Sequence, residues 1–165
     1  MIISFDDLSS IRKKHTGEKI VFCSGSFDLT HAGHVLFFED CKKSGDILVV
    51  MVGRDDEIKI NKGQDRPILN QDIRLKMIDS LKHVDYCFLN TPWIQGGHPL
   101  DTIGVFFEHL KPEIYAINED AFDIPYRKEL TKKYGVKLLV LDRNCPQEFE
   151  NISTTKIIEK IKKSS

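Results

Sequence analysis

Two histidines one helical turn apart are the residues of this chain best suited to chemistry. They are His31 and His34, within the sequence THAGH at 30–34. An apolar run at Ile20 to Cys23 predicts a strand before them, and apolar periodicity over Val35 to Cys41 predicts a helix after them. The histidines therefore fall in the first helical turn, where unpaired backbone N–H groups and the helix dipole attract anions. Two imidazoles on one face add further donors, so the stretch predicts a triphosphate site.

An ordinary helix start is the alternative interpretation of this stretch. In it, Thr30 caps the helix and both histidines are simply exposed to solvent. A cap needs neither two histidines nor the Gly33 between them, so we favour the anion site. Gly25, which follows the predicted strand, permits the tight turn that this geometry requires.

A second candidate segment is cationic and has the sequence KGQDRP at 62–67. We expect it in an irregular stretch between the second strand and the helix that contains Arg74. A cationic loop can close over phosphates, here with Lys62 and Arg66. An ordinary polar connection explains the composition of the segment equally well.

The third candidate segment is the sequence ISTT at 152–155, which precedes a helical pattern at 153–163. Ser153 or Thr154 would cap that helix. Hydroxyl and N–H groups at a helix start also form a phosphate cradle, so the segment is either a plain cap or a second phosphate site that includes Thr155.

These segments must be positioned by the elements around them, which alternate between strand and helix patterns. The predicted strands are Ile20–Cys23, Ile47–Val52, Tyr86–Leu89, Ile114–Ile117 and Leu138–Leu141. The predicted helices are His31–Lys43, Gln71–Leu81, Leu100–Leu110, Ile124–Tyr134 and 153–163, with a helical segment in 1–18. This alternation is typical of an α/β fold: a Rossmann-like, doubly wound parallel sheet of five strands in three layers. Ligands bind such sheets beside the carboxyl ends of the strands, where the turn after the first strand lies.

Composition narrows the function classes. The 165 residues fit a single domain, 1–165, and a net charge of −1 argues against nucleic-acid binding. The four cysteines are too widely spaced to indicate a zinc site or a disulfide framework. No apolar run has the length of a membrane span and no signal peptide is visible, so we expect a cytoplasmic protein without a membrane partner.

The first segment resembles the signature G-x-F-D-x-x-H-x-G-H of the nucleotidylyltransferase superfamily. The matching positions are Gly25, Phe27, Asp28, His31, Gly33 and His34. The resemblance implies transfer of a nucleoside monophosphate from a nucleoside triphosphate to a small phosphorylated acceptor, with release of pyrophosphate. Mg²⁺ would be bound through the triphosphate and not by a metal site of the protein. His31, His34 and Lys62 would be catalytic. The nucleotide would contact Gly25, Ser26, Phe27, Asp28, Gly33, Arg74, Asp120, Ser153, Thr154 and Thr155.

The other two segments resemble particular branches of the superfamily. A K-G-x-x-R-P run followed by an arginine on the next helix is similar to the adenylyltransferase domain of ADP-heptose synthase. Lys62, Gly63, Arg66, Pro67 and Arg74 match it. The resemblance implies that Lys62 contacts phosphate and that Arg74 holds the triphosphate or the acceptor. The I-S-T-T sequence also occurs in glycerol-3-phosphate cytidylyltransferase, where it lies against the nucleotide phosphates.

Other positions match the branches only in part. Arg143 resembles an arginine that precedes the I-S-T-T element, although a longer stretch, 144–151, separates the two here. Arg66 and Arg143 are therefore candidates for binding phosphate or acceptor. After the fourth predicted strand, Asp120 keeps an acid of the family pattern, whereas Asn118 replaces a glycine. His98 and Trp93 would belong either to an acceptor loop or to an ordinary turn.

The resemblance favours ATP, with CTP as the other nucleotide, and a sugar-phosphate or polyol-phosphate acceptor. The alternatives are a glycerol-3-phosphate cytidylyltransferase and an enzyme similar to FAD synthetase. A nucleotide-binding regulator that has lost catalysis is the alternative of another class. Because relatives are often dimers, a homodimer is also expected.

Overall fold

The sheet fixes the position of every candidate segment. The computed structural model describes residues 1–91, 97–142, 146, 149 and 152–164. The strands are β1 (Ile20–Gly25), β2 (Ile47–Val52), β3 (Tyr86–Leu89), β4 (Ile114–Asn118) and β5 (Lys137–Leu141). All neighbouring strands pair in parallel, in the order β3-β2-β1-β4-β5. The chain thus winds outward from β1 in both directions, which confirms the predicted doubly wound fold.

Seven α-helices accompany these strands in the described part of the chain. They are α1 (Leu8–Lys14), α2 (Ala32–Lys43), α3 (Asp55–Lys62), α4 (Gln71–Asp79), α5 (Asp101–Leu110), α6 (Ile124–Tyr134) and α7 (Thr154–Ser164). A 3₁₀ turn, Phe5–Asp7, precedes α1. The five helices predicted after the first strand are present, with ends displaced by at most two residues, and α1 lies within the helical segment predicted in 1–18.

Helix α3 lies where we expected an irregular stretch, so that expectation was wrong. Its sequence, DDEIKINK, is mostly polar and buries only Ile58, and it therefore lacks apolar periodicity. Charge stabilises it instead: three acidic residues occupy its first turn and two lysines its last, which complements the helix dipole. The carboxylate of Glu57 also accepts a hydrogen bond from the backbone N–H of Arg54, at 3.2 Å.

Apolar side chains cover both faces of the sheet. Alternate residues of each strand point to opposite faces, so Phe22 packs on one side and Cys23 on the other. Helices α1, α5 and α6 cover the face of Phe22, which we call the aromatic face because Phe88, Phe106 and Tyr115 also pack there. Helices α2 and α4 cover the opposite face. The three layers leave the carboxyl ends of the strands open to ligands.

Among the described helices, none combines the length and the apolar composition that a membrane span requires.

Candidate active site

A cavity of about 580 Å³ opens at the carboxyl ends of the strands, beside the first turns of α2 and α7. Most of the predicted site residues line it together. They are Gly25, Ser26, Phe27, Asp28, His31, Gly33, His34, Lys62, Arg66, Asp120, Ser153, Thr154 and Thr155. Arg74 is not among the lining residues, and Arg143 and Trp93 lie outside the described residues. The three sequence segments therefore meet in one cavity, although more than a hundred residues separate the first from the third.

The two histidines stand at the start of α2 with their rings stacked. The ring centroids are 4.0 Å apart and the planes are inclined by 24°. Nδ1 of His31 accepts a hydrogen bond from the backbone N–H of Gly33, at 3.2 Å, so His31 itself caps the helix. Because Nδ1 is an acceptor, the neutral ring carries its proton on Nε2, and that N–H is the hydrogen-bond donor of the ring. Thr30 instead donates its hydroxyl to the carbonyl of Phe27, at 3.2 Å.

Gly33 brings the starts of α2 and α7 together. A Cβ atom at this position would lie 3.1 Å from the His31 ring and 3.5 Å from the carbonyl oxygen of Ile152. Only glycine therefore leaves the His31 ring where it is, whereas the contact with Ile152 would be an ordinary van der Waals distance. Two helix N-termini then face one cavity, an arrangement that attracts polyphosphates.

Hydroxyl groups fix the start of α7. Ser153 accepts a hydrogen bond from the backbone N–H of Lys156, at 3.3 Å, and so caps the helix. Thr154 donates to the carbonyl oxygen of Asp28, at 2.8 Å, which ties α7 to the turn after β1. The I-S-T-T segment thus caps its own helix and joins it to the turn after β1.

The turn after β1 is tightly folded. Phe27 and Leu29 have positive φ angles, 49° and 47°, which non-glycine residues rarely adopt. The Phe27 ring lies over Gly25, where a Cβ atom would come within 2.8 Å of the ring. Asp28, 6% exposed, accepts hydrogen bonds from the backbone N–H groups of Ile68 (2.9 Å) and Leu69 (3.0 Å). Asp28 therefore anchors the end of the cationic segment to the turn.

Lys62 and Arg66 bring positive charge to the cavity from the end of α3 and the turn beyond it. The ammonium of Lys62 donates to the hydroxyl of Ser26, at 2.8 Å, and Arg66 contacts the carboxylate of Asp28, at 3.4 Å. Partial removal from water and the nearby charge of Arg66 lower the pKa of Lys62, against the opposing effect of Asp28. This crowding of cations suits a polyanionic ligand, which would relieve their repulsion.

The structure places Arg74 differently from the prediction. Its side chain is completely buried and donates to the carbonyl oxygens of Leu69 (2.9 Å), Ser26 and Gly53 (2.8 Å), and to the carboxylate of Asp55 (2.7 Å). These contacts join α4 to the ends of β1 and β2 and to the start of α3. The guanidinium is thus occupied by protein acceptors and does not line the cavity, and the expectation that Arg74 holds the triphosphate or the acceptor stays a prediction.

Two other predicted positions lie after strands. Asn118 and Asp120 line the cavity at the end of β4. His98 does not: its Nε2 lies 3.1 Å from the carboxylate of Asp123, and its ring stacks on Tyr126 with centroids 3.7 Å apart. His98 therefore joins the starts of α5 and α6.

Sequence reasoning missed the part of the cavity beside α5 and α6. Asn90, Thr102 and Arg127 line it and are all more than nine-tenths buried. Asn90 directly follows β3, so its place at the carboxyl edge was readable from the strand pattern. Thr102 and Arg127 gave no such signal, because each stands in an ordinary amphipathic helix pattern.

Comparison with known proteins shows which family the sequence matches. A sequence model of the cytidylyltransferase-like family matches residues 22–160. The chain is 35% identical over 147 residues to the bifunctional protein HldE of Alcanivorax borkumensis. The matched region covers 88% of this chain but only 28% of that protein. It is 34% identical over 146 residues to an FAD synthase of Ferroglobus placidus, which covers 87% of this chain and 88% of that protein.

The fold agrees with a solved relative. The crystal structure of the lipopolysaccharide core biosynthesis protein from Thermoplasma volcanium GSS1 superposes with a TM-score of 0.60 at 33% identity. The match covers 76% of this chain and 96% of that one. Since the family model spans most of the sequence, the chain belongs to the cytidylyltransferase-like family of nucleotidyltransferases.

Proposed function

We propose that this chain transfers AMP from ATP to the phosphate of a sugar-phosphate or polyol-phosphate and releases pyrophosphate. One observation carries the proposal: the starts of α2 and α7, His31, His34 and Lys62 all face a single cavity. Packing alone requires no such convergence of N–H groups, imidazoles and an ammonium.

The reaction would be a direct displacement. An oxygen of the acceptor phosphate forms a bond to the α-phosphorus, while the bond from the α-phosphorus to the bridging oxygen breaks and pyrophosphate leaves with that electron pair. A phosphomonoester is largely ionised near neutral pH, so the attacking oxygen needs no general base. The task of the protein is then to position the two phosphates and to neutralise the charge that develops.

Each cationic or donor group has a place in this scheme. His31, with its proton on Nε2, and His34 donate to the α-phosphate and to the departing pyrophosphate. Lys62 adds a full charge, and the N–H groups at the start of α7 contact the remaining phosphate oxygens. Mg²⁺ enters as part of the substrate, bound to the triphosphate.

The choice of ATP rests on relatives. The K-G-x-x-R-P segment is similar to that of the adenylyltransferase branch, and an FAD synthase makes a product that contains an adenylate. CTP is the second candidate nucleotide, since the I-S-T-T segment is shared with a cytidylyltransferase branch. FMN is the second candidate acceptor, because the FAD synthase of Ferroglobus placidus matches over 88% of its length.

Pyrophosphate release tests the proposal. Purified protein with Mg²⁺ would be assayed with ATP, CTP, GTP and UTP, each against sugar 1-phosphates, glycerol 3-phosphate and FMN. We expect turnover with ATP and a sugar-phosphate or polyol-phosphate, and none without an acceptor. Tight ATP binding by calorimetry without turnover on any acceptor would favour a nucleotide-binding regulator instead.

A further inference from the structure

The cavity extends beyond the three candidate segments (25–34, 62–67 and 152–155), which we call the phosphate segments, onto the aromatic face of the sheet. There Ser24 at the end of β1, Asn90 after β3, Thr102 on α5 and Arg127 on α6 line it. The histidines belong to α2, which packs on the opposite face. We call this second region the α5/α6 pocket, and none of its polar residues has a role in the transfer chemistry described above.

Arg127 is a buried cation that faces this pocket. Its side chain is 7% exposed. Nε donates to the carbonyl oxygen of Phe122, at 2.7 Å, and Nη1 donates to the hydroxyl of Tyr115. In the described part of the chain the hydrogen-bond partners of Arg127 are thus a carbonyl and a hydroxyl oxygen and not a carboxylate, and burial lowers its pKa to about 10. Burying a charge without a counterion is costly, so an anion at this position would remove a real penalty.

Asn90 and Thr102 offer hydrogen bonds to the same pocket. The amide nitrogen of Asn90 donates to the carboxylate of Glu57, at 2.6 Å, which fixes the orientation of the amide. In the described part of the chain, Oδ1 of Asn90 and Oγ1 of Thr102 are buried without a protein partner. Buried polar atoms are normally satisfied. Oδ1 of Asn90 can only accept, and the group that complements it is a hydroxyl or N–H of a ligand.

The α5/α6 pocket connects directly to the phosphate segments. The hydroxyl of Tyr115, which binds Arg127, lies 2.8 Å from Oγ of Ser24. Ser24 stands two residues before Ser26, the partner of Lys62, so their Cα atoms lie at most about 7 Å apart. One sugar ring can bridge such a distance, with its phosphate near Lys62 and its far end near Arg127.

We propose that the α5/α6 pocket selects an acceptor that carries a second acidic group, a carboxylate or a second phosphate, remote from the attacking phosphate. Arg127 binds an oxygen of that acidic group. Asn90 and Thr102 bind hydroxyl groups of the sugar or polyol between the two acids. This inference rests on the proposed function and names the class of acceptor for it.

Calorimetry with three probes tests this selection. The protein would be saturated with Mg²⁺ and a non-hydrolysable ATP analogue, and then titrated with glucose 1-phosphate, glucuronic acid 1-phosphate or glucose 1,6-bisphosphate. We expect at least one of the two acids to bind tenfold or more tightly than glucose 1-phosphate. The carboxylate and bisphosphate arms show which acid the pocket prefers. Equal affinity for the three probes, or no binding of any, would overturn the proposal.

Variants test whether Arg127 causes the preference for an acidic acceptor. R127Q should remove the preference for the acids, whereas R54Q, which changes a surface arginine paired with Asp56, should keep it. If R127Q does not fold, R127K takes its place and should reduce the preference by severalfold, because lysine lacks the planar fork. A preference that survives in the folded variant would overturn the assignment. Titration of the ATP analogue alone separates the two proposals: its failure to bind would count against the proposed function itself.

Discussion

Nδ1 of His31 accepts a hydrogen bond from the backbone N–H of Gly33 at 3.2 Å, and this bond decides which nitrogen of the neutral imidazole carries the proton. The neutral ring must carry its proton on Nε2. Stacking on His34, with centroids 4.0 Å apart, holds that ring in place. The pair is therefore oriented before a ligand binds. Such preorganised donors are the condition for strong electrostatic stabilisation of a transition state.

Replacing either histidine should lower turnover far more than it lowers stability. For H34A we expect kcat to fall by about 10²-fold or more, the usual effect of removing one oriented donor. Pyrophosphate release measures the rate, and circular dichroism checks the fold. H83A is the matched control, since His83 contacts Glu39 away from the cavity. A near-normal rate in H34A would remove His34 from the mechanism.

Gly33→Ala should lower turnover without lowering stability much. The added Cβ lies 3.1 Å from the His31 ring, so the ring must move by a few tenths of an ångström. We expect kcat to fall about tenfold, because small misplacements of reacting groups are costly. Alanine is the better helix former by about 1 kcal/mol, which offsets the strain of the contact. Thermal unfolding and pyrophosphate release together check this, and unchanged turnover would contradict it.

The pKa of Lys62 predicts an alkaline limb in the pH profile. Since this pKa is lowered, the ammonium loses its proton at a lower pH than an ordinary lysine, and affinity for the triphosphate falls as the pH rises. An arginine stays charged throughout this range. The profile of kcat/KM for ATP should therefore fall at alkaline pH in the native protein, and K62R should move that fall to higher pH. An identical limb in both proteins would assign it to another group.

The segments that line the cavity were recognisable in the sequence because their signals are local. His31, Gly33 and His34 lie within four residues, and a helix start is recognisable from capping residues and apolar periodicity. The strands were equally clear, since each is a short apolar run between polar turns. The roles of Arg74 and Arg127 were not readable, because burial of a long cationic side chain depends on contacts between distant segments. Helix α3 was missed for a related reason: dipole complementarity stabilises it, and it lacks an apolar stripe.

Thr154→Val should loosen α7 from the turn after β1. Valine keeps the shape of threonine but cannot donate a hydrogen bond to the carbonyl oxygen of Asp28. Oγ1 of Thr154 makes that bond at 2.8 Å. Loss of this bond should cost about 1 kcal/mol and lower Tm by about 2–4 °C, with a raised KM for ATP. T155V is the control for stability, because Thr155 is exposed. Equal Tm values for the two variants would show that the tether does not contribute.

Arg74→Met tests whether this arginine acts through the fold. Its buried guanidinium donates hydrogen bonds to the carbonyl oxygens of Leu69, Ser26 and Gly53 and to the carboxylate of Asp55. Methionine fills part of the space but leaves these four acceptors without their donor. Removing one partner of such a buried network should cost about 3–5 kcal/mol in the free energy of unfolding. Urea denaturation measures this cost. R54M, which breaks an exposed pair with Asp56, should cost about 1 kcal/mol or less.

If R74M were as stable as R54M and yet lost ATP affinity, Arg74 would bind the nucleotide directly after all. The reverse result, a large loss of stability with ATP affinity retained in the folded fraction, would establish Arg74 as the residue that holds the ends of β1 and β2 in the geometry the phosphate segments require.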